Sequence, residues 1–153
     1  MRRKNKEILD RDMINAKIKE ADICRLAFCD GLIPYIVPMN FGYKDNTLYF
    51  HSAKEGRKLD IIKKNNNICF EIECNVEVVK AEKPCEWTTK YYCIIGNGRA
   101  EFVEDYNEKV KALNIIMEKY SNQAEYEFTK ELVNNLSIIK VEIIEVTGKK
   151  SGY

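Results

Sequence analysis

Residues 48–62, LYFHSAKEGRKLDII, hold the side chains best suited to gripping an anion. An apolar run ends at His51-Ser52. Four residues after Ser52, Gly56-Arg57-Lys58 opens a helical pattern in which Leu59, Ile62 and Ile61 supply an apolar face. A phosphate monoester is held well by a hydroxyl donor, a guanidinium fork, an ammonium charge and the free amides of a helix N-terminus. This segment offers all four, and Ser52, Arg57 and Lys58 are the candidate ligands. Taken alone, G-R-K before a helix is as a rule a solvated basic turn, so its surroundings must decide.

His51 is the only histidine, and at a strand end it suits a proton donor, a ligand contact or a satisfied polar residue. The six cysteines, Cys24, Cys29, Cys69, Cys74, Cys85 and Cys93, are dispersed through core-like segments. That spacing fits reduced thiols better than a disulfide framework. No C-x-x-C occurs, and if Cys24 and Cys29 share a strand their odd separation sends them to opposite faces, so no metal site is expected. Trp87 and Tyr91 or Tyr92 offer rings for stacking on a ligand or for closing a core or an interface.

The 25 Lys and Arg against 24 Asp and Glu leave a net charge of +1, which gives no long-range attraction for nucleic acid or anionic lipid. Arg2, Arg3, Lys4 and Lys6 read as a solvated terminus. No stretch approaches the roughly 18 apolar residues of a membrane helix, and the first residues lack the apolar core of a signal peptide. A cytoplasmic protein without a membrane or nucleic-acid partner is expected. At 153 residues the chain suits a single domain, 1–153, with its own core.

These side chains need elements to position them. Residues 11–21 place Met13 or Ile14 and Ile18 at helical spacing, with Asp10 or Asp12 as candidate cap. ICRLAFCD predicts a strand ending in the turn Asp30-Gly31. PYIVPMNFGY continues as an extended run and is expected to pair with LYFHSA across KDNT. The segment after NNN alternates Ile68, Phe70, Ile72 and Cys74 against Cys69, Glu71 and Glu73, then runs on through Val76, Val78 and Val79 as one long half-buried strand. TKYYCIIGNGRAEFVE is another strand, in which Gly96 and Gly98 mark a bulge or a close backbone approach. Val110, Leu113, Ile116, Met117 and Tyr120 stripe a helix over 105–121; a short helix near EFTKELVNNL and a strand over SIIKVEIIEVTGKK follow. Hairpin-joined strands without regular strand–helix–strand alternation give an α+β fold on an antiparallel sheet. Pro38 inside an apolar strand lacks a ladder N–H, which places that segment at an edge, a bulge or a ligand surface.

Residues 34–73 together resemble the FMN-binding strand, hairpin and phosphate loop of the pyridoxamine 5′-phosphate oxidase-like superfamily, with the closest likeness in its nitroimidazole-resistance branch. The likeness continues through YYCIIGNGRAEFVE and VEIIEVTGKK, and MRRKNKEI resembles that branch's opening. It implies an antiparallel six- to seven-stranded split β-barrel with flanking helices, working as a homodimer that holds FMN between subunits. It further implies that Val37, Pro38, Met39 and Asn40 run beside the isoalloxazine ring, that His51 and Ser52 follow on the paired strand, and that Arg57 and Lys58 bind the flavin phosphate. Cys93 falls where the oxidases present a flavin-contacting glutamine, and His51 moves toward the active site as its candidate catalytic residue. The implied activity is reduction of small acceptors such as nitroaromatic compounds with NADH or NADPH as donor. Oxidases of pyridoxamine phosphate carry a C-terminal arginine and histidine pair, whereas this chain ends TGKKSGY. The alternative is a non-catalytic protein that stores or senses a flavin or haem. His51 can ligate haem iron, but Ser52, Arg57 and Lys58 suit one phosphate better than two propionates.

Overall fold

A computed structural model of the chain describes residues 4–121, 123 and 125–153. Strands β1 (Glu7–Ile8), β2 (Cys24–Asp30), β3 (Ile33–Met39), β4 (Gly42–Lys44), β5 (Thr47–Ala53), β6 (Asn67–Val79), β7 (Thr88–Val103) and β8 (Leu136–Ser151) build one antiparallel sheet. Helices α1 (Arg11–Glu20), α2 (Arg57–Lys64), α3 (Tyr106–Tyr120) and α4 (Lys130–Asn134) flank it. The strand order is β3-β2-β6-β7-β8-β5-β4, with β1 added on β8. This is the expected α+β split barrel with flanking helices, carrying eight strands rather than six or seven. The surplus comes from the two-residue β1 and from division of the long extended run into β3 and β4.

Local chemistry sets the boundaries. The Asp10 carboxylate accepts from the Asp12 amide at the start of α1, Asp105 from Glu108 at α3, and Thr129 from Leu132 at α4. Between β4 and β5, Asp45 and Asn46 take φ of 49° and 59°, the left-handed pair that a two-residue hairpin requires. In the middle of β6, Ile68, Phe70, Ile72 and Cys74 point inward while Cys69 and Glu73 face out, as the alternation predicts. Phe41, Phe50, Phe70, Leu26 and Ile94 fill the barrel, and a smaller cluster around Leu113, Val133 and Ile138 seats α3 and α4.

Three expectations are corrected. Only Gly42–Lys44 pairs with β5; Ile33–Met39 pairs along its whole length with β2. The cause lies at Phe41, whose side chain is fully buried and whose amide donates to the Tyr120 hydroxyl at 2.9 Å, outside any ladder. Val76 and Val78 are 55% and 58% exposed, because β6 bulges between Cys74 and Glu77 and continues with β7 as a ribbon beyond the core. Of the six free cysteines only Cys24 and Cys74 are buried; Cys29, Cys69 and Cys85 are exposed and Cys93 is intermediate. Cys24 and Cys29 do share β2 and face opposite ways. Arg2 and Arg3 lie outside the described residues. Among the described residues no helix is long and apolar enough to cross a membrane.

Candidate functional site

Alternation along β5 sends His51 outward and Ser52 inward, where Ser52 is 5% exposed. Its Oγ is buried with no hydrogen-bond partner. Four residues on, α2 starts at Gly56, whose φ of 135° only glycine adopts easily and which offers no side-chain cap. The Leu59 and Asp60 amides bond back to the Gly56 carbonyl at 2.9 and 3.3 Å, while the Arg57 and Lys58 amides have no partner in their own helix. The other three α-helices are capped by Asp10, Asp105 and Thr129, so among the described residues α2 is the α-helix without a side-chain cap. Arg57 stands beside that end. Its Nε donates to Asp30 Oδ2 at 3.3 Å, and its guanidinium lies 4.6 Å from the centre of the Tyr35 ring. A half-buried Lys58 adds an ammonium. One end of the molecule thus offers a buried hydroxyl, open amides and two cations, a donor set suited to a dianion.

Strand β3 begins near this end, through Tyr35, and forms one edge of the sheet. Val37 and Met39 are half-buried against the core, whereas Ile36, Pro38 and Asn40 are exposed. Pro38 pairs with Arg25 on one side and has no strand on the other, which is where a missing N–H does no harm. Cys93 is elsewhere. It sits on β7 opposite Glu73 and Lys149, with β2 and β6 between it and β3. Its Sγ donates to Glu71 Oε1 at 3.7 Å, and Glu71 Oε2 accepts from Arg25 at 2.9 Å. Burial, reinforced by Glu71 and Glu73, pushes the Cys93 thiol up to about 11.

Ser52 lies next to the end of β5, and Arg57 and Lys58 open α2. Val37, Pro38 and Met39 lie on the edge strand with Asn40 just past its end, His51 stands on the outer side of β5, and Cys93 is set apart. Sequence reasoning missed Asp30 and Tyr35, which orient Arg57, and the Arg25–Glu71 pair beside Cys93. Asp30 was visible only as a turn residue, and the cross-strand partners follow from register, which no local pattern states.

An antiparallel split barrel with an uncapped, cationic helix end beside its edge strand defines a class of flavin-binding proteins. The chain belongs to the pyridoxamine 5′-phosphate oxidase family, whose sequence profile matches residues 10–150. Among solved structures it is similar to a candidate 5-nitroimidazole antibiotic resistance protein from Bacteroides thetaiotaomicron, with 35% identity over 94% of this chain and 86% of the other, at a TM-score of 0.84. It also shares its fold with the FAD and heme binding protein from Mycobacterium smegmatis, at 16% identity over 97% of this chain and 74% of the other, with a TM-score of 0.85. The uncharacterized protein RA0666 of Rhizobium meliloti is 31% identical over 65 residues, and that stretch spans 42% of each chain.

Proposed function

We propose that this chain is an FMN-binding oxidoreductase, active as a homodimer, that passes electrons from NADH or NADPH to small acceptors such as nitroaromatic compounds. The observation that carries the reading is the unpartnered, buried Ser52 Oγ, four residues ahead of the uncapped start of α2. A buried polar atom without a partner costs about 1–3 kcal/mol, so this hydroxyl has reason to be there when a ligand completes it. Arg57, fixed by Asp30 and Tyr35, and Lys58 supply the matching charge. One compact cradle suits the terminal phosphate monoester of FMN.

When bound, the flavin supplies the hydride-accepting and electron-passing chemistry. The chain's task is to hold and shield it. Val37, Pro38, Met39 and Asn40 flank the ring from the edge strand, and His51, exposed on β5, serves as proton donor to the reduced acceptor. Cys93 stands three strand spacings from β3, about 14 Å at ordinary sheet geometry. A ring lying along β3 is beyond its reach within one chain, which favours a second copy delivering that contact across a subunit boundary. The raised pKa keeps Cys93 a thiol at neutral pH, a hydrogen-bond donor rather than a nucleophile.

The test is a visible spectrum after FMN is added and excess removed by desalting, followed by an assay of reduced-nicotinamide oxidation with a nitroaromatic acceptor. Flavin retained near one per subunit, with turnover, is the expected result. Colourless protein overturns the FMN assignment, and bound flavin without turnover returns the chain to a storage or sensing role.

A further inference from the structure

We infer a second anion subsite on the opposite flank of α2, built to take a phosphate group carried by a small molecule. A hollow of about 270 Å³ lies between α2, the end of β7 and the start of β8, and Lys54, Leu59, Lys63, Glu104, Lys109 and Ser137 are among its walls. Leu59 and Lys63 are four residues apart and share one face of α2. Arg57, two residues before Leu59, is turned the other way toward Asp30 and Tyr35. Arg57 and the hollow therefore sit on different sides of the same helix.

Charge is what marks the hollow. Three ammonium groups surround it against the single carboxylate of Glu104. Lys54 has no hydrogen-bond or ion-pair partner among the described residues. Lys63 reaches only Asp60 of its own helix, at 3.9 Å, and Lys109 Nζ donates to the Leu136 carbonyl at a long 3.5 Å. Three like charges around one space, with little to neutralise them, favour an anion there. Ser137 adds a hydroxyl and, as the register partner of Ser52, points to the same face of the sheet. The volume accommodates a phosphate with a few further heavy atoms, not a whole nucleotide.

Another hollow, about 640 Å³ between α1, α3 and the β4–β5 turn, has a different character. Tyr43 already donates to Asn15 at 2.8 Å, Asn46 to the Ile143 carbonyl at 2.8 Å, and Lys119 to the Ile18 and Lys19 carbonyls. These polar groups serve the fold, whereas Lys54 of the smaller hollow has no partner among the described residues.

The probe is inorganic phosphate, titrated into FMN-loaded protein at constant ionic strength and followed by phosphorus NMR line broadening. Saturable binding is expected, weakened tenfold or more by Lys54→Gln with Lys63→Gln at unchanged flavin content. The same titration of an Arg57→Ala/Lys58→Ala protein should still show binding, so the subsite is read even if the flavin assignment fails. An equal response to chloride, or loss of phosphate binding on FMN loading, overturns the subsite. The source of the phosphate is read from donor kinetics. A KM increase in the lysine variant confined to NADPH assigns the group to a 2′-phosphate on the co-substrate. Unchanged KM values with phosphate binding lost in the variant assign it to free phosphate.

Discussion

Ser52 is a hydroxyl whose two consequences have opposite signs. In the flavin-free chain its Oγ is buried and unpaired, so Ser52→Ala should raise stability by about 1 kcal/mol, seen as a higher midpoint in urea. In the proposed cradle the same change removes a phosphate ligand, and FMN affinity should fall about tenfold, the value of one hydrogen bond to a charged group. A variant that gains stability and keeps full affinity would remove Ser52 from the cradle. Arg57→Ala with Lys58→Ala should weaken FMN binding by a hundredfold or more while far-UV circular dichroism stays unchanged, because both side chains lie outside the core. Cys93 makes a third test. With its thiol pushed up to about 11, it should react with iodoacetamide at pH 8 at least tenfold more slowly than exposed Cys29 and Cys85, as resolved by peptide mass spectrometry. The anion ligands were legible because hydroxyl, glycine and two cations fall within seven residues of chain. Asp30, 27 residues from Arg57, carries no comparable local signal.

At the scale of elements, what could be read was what repeats. The 3.6-residue period of α1 and α3 and the two-residue period in β6 survive folding because each element buries one face. The break between β3 and β4 was illegible, since it depends on Tyr120, 79 residues away, whose hydroxyl accepts from Phe41 and donates to the Asp22 carbonyl. Its neighbour Lys119 ties α3 to the end of α1 through the Ile18 and Lys19 carbonyls and lies 4.3 Å from the Phe41 ring centre. Burial lowers the Lys119 pKa to about 8, against opposing pulls from Asp22, Cys74 and Cys24. The folded chain then binds this proton less tightly than the unfolded chain. Stability from this group should therefore rise as pH climbs from about 8 toward the ordinary 10.5. Urea unfolding at pH 8 and pH 10 should show that gain in the native protein relative to Lys119→Met. An identical pH dependence in the variant would assign the effect to other groups. Gly96 tests the sheet itself: a Cβ there would run into the Phe70 ring and the Glu145 carbonyl, so Gly96→Ala should cost about 1–3 kcal/mol in thermal or urea unfolding.

Among the described residues, one face of the sheet carries apolar side chains open to solvent. Ile36, Pro38, Ala27, Cys69 and Ile95 fall on the outward side of β3, β2, β6 and β7, and Ile36 and Ile95 are 59% and 47% exposed. Ile144 on β8 is 61% exposed. The Arg25–Glu71 pair beside Cys93 lies amid this surface. A stable interface takes about 800 Å² from each partner. The same face carries Cys93, which a single chain holds too far from β3 to share a ligand with it. Under the proposed function, dimerisation through this face and completion of the flavin site are one event rather than two. Ile36→Asp with Ile95→Asp places charges on exposed positions and should leave the isolated fold intact. Sedimentation should then report a monomer, and FMN retention should fall with it, in proportion to the fraction dissociated. A monomeric variant that keeps one flavin per chain would show that a single subunit holds the cofactor alone and would free Cys93 from any part in the site.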